Sequence, residues 1–378
     1  MAFKEKNEHD WLKAMPEPGI LLDSTGPSEP TVSVIVPNHN GGELAVKCIE
    51  TLLGTDYGSM TIIFVDNCST DDSRAQVAAR FGDDARLRIL PLEVNIAFSG
   101  AVLKGFQVNE SEYVVLMNND MIADPGWLKE LVRACVEDPS VGAVQAKLLR
   151  MDDPTLLQYG GGLMNPLALT RGRGVGEPEE LYNSKDRIFF AAGACMLTSR
   201  KIMREAGLSD PSFLVFDDAD LGWRIRLCGY ETLFVPSARV MHRGSMTLDR
   251  SEFKQNRSVQ LIYEHYAMIL KNYSFRSILK VLPSIMLLHL GRLILLIVEG
   301  DIRRAKSTVL GIVRTLKLLP TIWLNRAAVQ RARKVSDSQI LSVMKELSPD
   351  PLVLVERHVG PLRLRLMSEG GRLVLRFS

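Results

Sequence analysis

The stretch "TVSVIVPNHNGGELAVKCIETLLGTDYGSMTIIFVDNCSTDDS", Thr31–Ser73, switches between two hydrophobic periods. "TVSVIVP" is β-branched and uncharged, which predicts a buried strand stopped by Pro37. Leu44, Cys48, Ile49, Leu52 and Leu53 recur at helical spacing and predict a helix over 42–54. "MTIIFVD" is a second apolar strand, and Ser69 or Asp71 can cap a helix near 72–81.

The alternation continues. "LRILPL" is a third strand, "GAVLKGFQVN" a helix, "YVVLMNND" a fourth strand and "GWLKELVRACVED" an amphipathic helix. The pattern implies an α/β fold: a mostly parallel sheet flanked by helices, with polar residues at strand C-termini, where ligands of such sheets bind. Asp66 and Asn118-Asn119-Asp120 fall there. Residues 151–187 are loop-rich and suggest a mobile segment or a hairpin over the site. "IFFAAGACMLTSR" predicts another strand, "RKIMREAG" a helix, and "GYETLFVPSARVMH" a strand ending at His242.

The chain has 378 residues, 46% hydrophobic and 24% charged, enough for one large domain with an appendage. Its five cysteines show no CxxC, which argues against a zinc knuckle or disulfide framework and suits a reducing cytoplasm. The N-terminal residues carry no apolar signal core, so export is not expected. Neither GxxxxGK[ST] nor strand–GxGxxG–helix occurs, so P-loop and dinucleotide chemistry are unsupported.

"FLVFDDADLGWRIRLCGY", Phe213–Tyr230, sets Asp217, Asp218 and Asp220 within four positions of an apolar run. A helix from about Ala219 explains one acid as its N-cap, Asp217 or Asp218. The second acid has no such excuse. A carboxylate near a cation and a substrate hydroxyl makes a general base. Asp120 can bind a hard divalent ion, and His242 can add a neutral nitrogen.

Beyond about residue 258 the character changes. Residues 276–334 hold 12 Lys/Arg against Glu299 and Asp301, a local +10 that leaves −8 for the rest of a chain of net +2. "VLPSIMLLHLGRLILLIV", 281–298, is 18 residues interrupted by His289 and Arg292, with Pro283 as a kink. A span needs roughly 20 apolar residues, so a pair of helices lying on an anionic membrane surface fits better than a clean span. Nucleic acid is disfavoured, because Phe275 and Trp323 are too few aromatics for stacking.

Over about 31–250 the chain resembles family-2 inverting glycosyltransferases of the GT-A fold. "VSVIVPNHNGG" resembles the family's opening strand and turn, "FVDNCSTDDS" its VDNxSxDxS loop and "NIAFSGAVLKGF" its N-x-G-F-x-G segment. "LMNND" stands where the DxD-type metal motif stands. "GACMLTSRKIMREAGLSD", "FDDADLGWRIRLCGY" and "VPSARVMH" resemble the acceptor-side block. The D-D-A-D form, with a histidine 24 residues after Asp218, is similar to bacterial galactofuranosyltransferases. The basic tail is similar to rhamnosyltransferases of surface-polysaccharide assembly. Three departures stand out: N-N-D offers Asp120 alone as a carboxylate ligand, Ala97 replaces a usual glycine, and Val102 and Leu103 stand where the family often has Asn-Asn.

The resemblance implies Asp218 as catalytic base, with Asp217 second and Asp220 structural. It implies donor contacts at Pro37, Asn38, Asn40, Asp66, Asn67, Asn95, Asn119 and Asp120, with Asp66 accepting from the base. Asp120 and His242 would hold Mn²⁺ or Mg²⁺, and Gly193, Ala194, Trp223 and Arg224 would line the acceptor side. The implied donor is a UDP- or dTDP-sugar of rhamnose or galactofuranose type. The implied acceptor is a glycan or polyprenyl-linked glycan at the cytoplasmic face of the cell membrane. A catalytically weak nucleotide-sugar-binding scaffold is the alternative. The expected division is a lead-in over 1–30, a transferase domain over 31–257 with halves 31–125 and 126–257, basic amphipathic helices over 258–345 and a tail over 346–378.

Overall fold

The computed structural model describes residues 29–208, 210, 212–244, 251–345, 365–369 and 372–376. The expected lead-in and most of the expected tail lie outside these residues.

The first half alternates strand and helix. β1 (Val32–Asn38), α1 (Gly42–Leu53), β2 (Met60–Asn67), α2 (Ser73–Phe81), β3 (Leu87–Leu92), α3 (Ala97–Gln107) and β4 (Tyr113–Met117) follow in order. β1 pairs in parallel with β2 and β4, and β2 with β3. The strand does not stop at Pro37 but runs on to Asn38. The reason is local: pairing with β4 ends at Ile35, so the missing N–H of Pro37 costs no ladder bond on that side.

The second half comprises β5 (Met121–Ala123), α4 (Trp127–Glu137), β6 (Val141–Arg150), β7 (Leu157–Tyr159), β8 (Gly162–Met164), β9 (Thr170–Gly172), β10 (Asp186–Ile188), β11 (Cys195–Ser199), α5 (Arg200–Ala206), α6 (Asp217–Leu227) and β12 (Glu231–His242). The main sheet runs β10-β12-β6-β11-β4-β1-β2-β3, with β5 on β12 and β7 on β6. Here most pairing is antiparallel, at β11 with β4 and β6, β10 and β5 with β12, and β7 with β6. The sheet is therefore mixed: parallel through β4-β1-β2-β3 where βα units repeat, antiparallel where β11 inserts, and parallel again between β6 and β12. β8 and β9 form a separate hairpin, the feature expected within 151–187.

One apolar core, with Trp127 and Phe64, fills one face of the sheet. A second, with Phe106 and Met203, fills the other. A third joins α6 to the helices that follow: α7 (Ser251–Asn272), α8 (Phe275–Val298), α9 (Ile302–Lys317), α10 (Leu319–Ala332) and α11 (Asp337–Val343). β13 (Arg365–Glu369) and β14 (Arg372–Arg376) pair as an antiparallel hairpin. The expected boundary at 257 falls inside α7. That helix belongs to the same core as α6, because its Tyr263 and Met268 pack in one cluster with Trp223 and Phe213.

α8 is long and apolar enough to cross a membrane by length and composition. Its two polar breaks face inward. His289 is 1% and Arg292 6% exposed, whereas Leu287, Leu290, Ile294 and Ile297 are each more than half exposed. His289 Nε2 lies 3.0 Å from His265 Nδ1 on α7.

Candidate active site

Four strand ends, those of β1, β2, β4 and β12, and the start of α6 carry the candidate residues. The first cluster joins the loops after β1, β2 and β4. Asn38, wholly buried, donates through Nδ2 to Asp66 (3.1 Å), Ser69 (3.0 Å) and Ser73 (3.0 Å). Its Oδ1 accepts from Asn119 Nδ2 at 2.6 Å. Gly41 is required here, because a Cβ on it would lie 2.4 Å from both Asn119 and Asn38. Asn40, at φ +55, accepts from the Thr70 amide at 2.7 Å. Asn67 donates to Asn95 Oδ1 (3.0 Å) and accepts from the Ile96 amide (2.9 Å). Pro37 is buried in the strand beside these residues.

The Asp66 carboxylate is wholly buried, bonded to Asn38 and the Ser69 amide, with Arg74 3.6 Å away, and it ties the loops after β1 and β2 together. The expected caps of α2 differ, since Asp72 takes the N-cap position and Asp71 accepts from the Ser73 amide instead.

The second cluster joins β4 to β12. Pairing of β5 with β12 sets His242 opposite Met121, next to Asp120. His242 Nε2 lies 3.2 Å from Asp120 Oδ1 and 3.2 Å from Asn118 Nδ2. Its Nδ1 meets Gln158 Oε1, and the Gly244 amide donates to Asp120 Oδ2 at 3.2 Å. Burial works to raise the proton affinity of Asp120, but the His242 hydrogen bond and charge outweigh it and hold the carboxyl below its usual range.

The third cluster is the acid pair. α6 starts two residues earlier than expected, so Asp217 and Asp218 are its first helical residues and neither is the N-cap. Asp217 accepts from Ser99 Oγ at 3.3 Å. Asp218 lies against Gly193, where an added Cβ would sit 2.7 Å from its Oδ1. Each carboxyl keeps a little surface, yet protein crowds both. Burial pushes Asp217 up to about 6. Burial, then the charge of Asp217, pushes Asp218 well above the carboxylate range. The two titrate as a pair.

Two short paths bring these acids to the Asp120–His242 pair. Ala194, next to Gly193, accepts from the Asn118 amide at 2.9 Å. Gln158 holds His242, and the neighbouring Tyr159 feels the charge of Asp218. Gln158 and Tyr159 belong to no polar cluster and no motif, and Ser99 falls on a variable position of the N-x-G-F-x-G segment, so none of the three carries a sequence signal.

Trp223 and Arg224 do not line the site. Trp223 is wholly buried, edge-on to Tyr273 at 4.6 Å. Arg224 is 3% exposed and donates to Asp220 (2.9 Å) and the Ala206 carbonyl (2.6 Å). Both sit on the inner face of α6. Asp220 is a buried anchor that also accepts from Lys271 Nζ (2.8 Å) and Asn272 Nδ2 (2.9 Å). Among the described residues no three His, Cys, Asp or Glu gather as a metal cluster.

The family model for glycosyl transferase family 2 matches residues 33–207. An uncharacterized protein, y4gI, of Sinorhizobium fredii is 28% identical over 249 residues, which is 61% of this chain and 26% of that one. The N-acetylglucosaminyl-diphospho-decaprenol L-rhamnosyltransferase of Mycobacterium tuberculosis is 25% identical over 243 residues, 57% of this chain and 77% of that one. The chain thus spans about a quarter of the first relative's length and about three-quarters of the second's. The crystal structure of GalNAc-T7 with UDP, GalNAc and Mn²⁺ superposes with a TM-score of 0.50 at 16% identity, covering 63% of this chain and 50% of that one. This last likeness is one of fold.

Proposed function

Since residues 33–207 belong to glycosyl transferase family 2, we propose that the protein moves a hexose from a nucleoside-diphosphate sugar to a glycan hydroxyl, inverting the anomeric centre. The observation that carries this reading is the crowded Asp217–Asp218 pair at the start of α6, one residue from the backbone that bonds Asn118.

Asp218 is the base. Its carboxylate takes the acceptor O–H proton as that oxygen attacks the anomeric carbon. The bond from that carbon to the diphosphate breaks, and the nucleoside diphosphate leaves with the electron pair. One displacement inverts the centre and needs no covalent enzyme intermediate. Crowding raises the proton affinity of both carboxyls above that of an ordinary carboxylate, which strengthens either as a base. Asn38, Asn40, Asn67, Asn95 and Asn119 shape the nucleotide cradle through their mutual bonds.

Asp120 Oδ1 and His242 Nε2 fit a shared cation. Their 3.2 Å separation is close to that of two adjacent ligands bound at about 2.1 Å, and the oxygen and nitrogen donors suit Mg²⁺ or Mn²⁺. Such a cation, when bound, supplies positive charge against the departing diphosphate. The Mn²⁺ named with the GalNAc-T7 structure accords with this. The diphospho-decaprenol acceptor in the mycobacterial relative's name supports a lipid-linked glycan as acceptor. The outward apolar face of α8 accords with a position on the cytoplasmic membrane face, in line with a role in surface-polysaccharide synthesis.

The test is a panel of UDP- and dTDP-hexoses, including rhamnose and galactofuranose donors, assayed for nucleoside-diphosphate release with and without Mn²⁺. Asp218→Asn should retain nucleotide binding and lose turnover. Wild-type turnover in that variant would move the role to Asp217 or end the base assignment. Nucleotide-sugar binding without turnover in the wild type would favour the scaffold.

A further inference from the structure

Burying a carboxylate is costly unless donors surround it. Glu264, on α7, is wholly buried, and its donors come from one place. Its Oε1 accepts from the Leu214 amide at 2.6 Å and the Val215 amide at 3.3 Å. Its Oε2 accepts from Val215 at 2.9 Å and Phe216 at 2.6 Å. Gln260, one turn earlier, donates to Oε1 at 2.6 Å and also to the Ser212 carbonyl. These three consecutive amides immediately precede Asp217. α6 has no side-chain cap of its own at Phe216. Another helix therefore satisfies the N–H groups that lead into it.

We propose that Glu264 is a positioning residue: it fixes the backbone that launches Asp217 and Asp218 and so aims the base. The proposal rests on the reading of the acid pair given above. Two arguments separate aim from mere cohesion. All the Glu264 bonds to α6 fall on main chain just ahead of the acids, so a shift there swings both carboxylates. The helix has a second and independent anchor at Asp220, its fourth residue, held by Lys271 and Asn272 two turns along α7. Losing Glu264 therefore leaves α6 docked through Asp220 while the 214–216 backbone that leads into Asp217 comes loose. The arrangement also makes α7 part of the active site's support, although it lies outside the matched family region.

The test uses Glu264→Gln in the full chain. The amide keeps the volume but turns an NH₂ toward backbone N–H groups, which is donor against donor. Hydrogen exchange of the segment 213–217 should speed up, while exchange in β1 and β2 stays as in the wild type. Turnover, read as UDP or dTDP release from the donor selected by the panel, should fall about 10- to 100-fold with the donor KM within about threefold, as for a misaimed catalytic group. Calorimetric affinity for UDP or dTDP with Mn²⁺ should not change. Wild-type turnover in spite of faster local exchange overturns the proposal, as does unchanged local exchange. Should Glu264→Gln unfold, with fast exchange throughout β1 and β2, Glu264→Asp decides: it keeps the charge, and wild-type turnover there overturns the proposal too. Asp218→Asn is run alongside. If it stays fully active the base assignment falls, while slowed turnover and looser amides in Glu264→Gln still support the clamp.

Discussion

A Cβ on Gly193 would lie 2.7 Å from Oδ1 of Asp218. Gly193 has no left-handed φ, so space and not backbone freedom is what demands a glycine there. The acid is pressed against main chain whose neighbour, Ala194, accepts from the Asn118 amide. Gly193→Ala should push the carboxylate off its seat without disturbing the strand. Turnover should drop about 10- to 100-fold, the cost of a misplacement on the order of 1 Å. The melting temperature should move by only a few degrees. Steady-state kinetics and a thermal melt check this, and wild-type turnover would show that Asp218 is not the base or is not held there.

The acid pair should cost stability at neutral pH. Burial raises Asp217 from 3.8 to about 6, so folding favours its protonated form. The benefit is complete at acid pH and is lost as pH rises through about 6. Asp217→Asn should therefore stabilise the fold by about 1–2 kcal/mol at pH 7.5, after discounting the 1.36 kcal/mol per unit for partial exposure, and by nothing at pH 4. Removing that charge should also ease deprotonation of Asp218. The acid limb of the rate profile should then move to lower pH, and a limb that stays in place would separate the two titrations.

How far the sequence went depended on where each signal lived. Strand-helix periodicity in Thr31–Ser73 reveals the parallel first half of the sheet, because buried parallel strands leave uninterrupted β-branched runs. The antiparallel half hid more. β7 and β10 are three residues each, too short for any period. The D-D-A-D cluster exposed the acids but not their aim, since Glu264 sits in a helix where its charge reads as a surface residue. Trp223 and Arg224 misled for a related reason: an aromatic and a cation beside acids suggest ligand contact, and only the packing of α7 shows that they are core. His289 and Arg292 seemed to spoil an apolar helix, whereas they are its inner face.

Ala97 occupies φ +62, a region where Cβ crowds the backbone, at the start of α3 beside Asn95 and Asn67. Ala97→Gly should relieve that strain. Against it stands the greater freedom of glycine in the unfolded chain. The balance should favour the variant by about 0.5–1 kcal/mol. Chemical denaturation gives the number, and a destabilised variant would mean that the methyl group contributes packing that outweighs the strain.

The cation reading makes a separable claim. Asp120→Asn and His242→Ala should each abolish the Mn²⁺-dependent part of UDP or dTDP affinity, leaving a weaker metal-independent remainder. With about two protein ligands and the rest from diphosphate and water, either loss should cost at least tenfold in affinity. Chelator should reproduce the effect in the wild type and change nothing in the variants. Equal affinity with and without chelator in the wild type would remove the cation from the site and leave the 3.2 Å contact as an ordinary hydrogen bond.

The outer face of α8 sets the last expectation. Leu287 is 68% and Leu290 51% exposed on a helix whose His289 and Arg292 point inward, the reverse of the pattern of a helix that faces water. On α9, Arg303, Lys306, Arg314 and Lys317 flank exposed Val309, Val313 and Leu316, so charge and apolar surface occur together. Each basic side chain near an anionic leaflet is worth about 1 kcal/mol, and the apolar faces add burial. The full chain should float with anionic liposomes at low salt and less so at high salt. Leu287→Glu with Leu290→Glu should abolish flotation while leaving the fold intact, because neither side chain belongs to a core. Truncation is a poorer test, since α7 and α10 hold Asp220 and Asp210 through Lys271 and Asn325. If the full chain ignores liposomes but sediments as a dimer that the double substitution splits, the face is a subunit contact and the membrane reading fails.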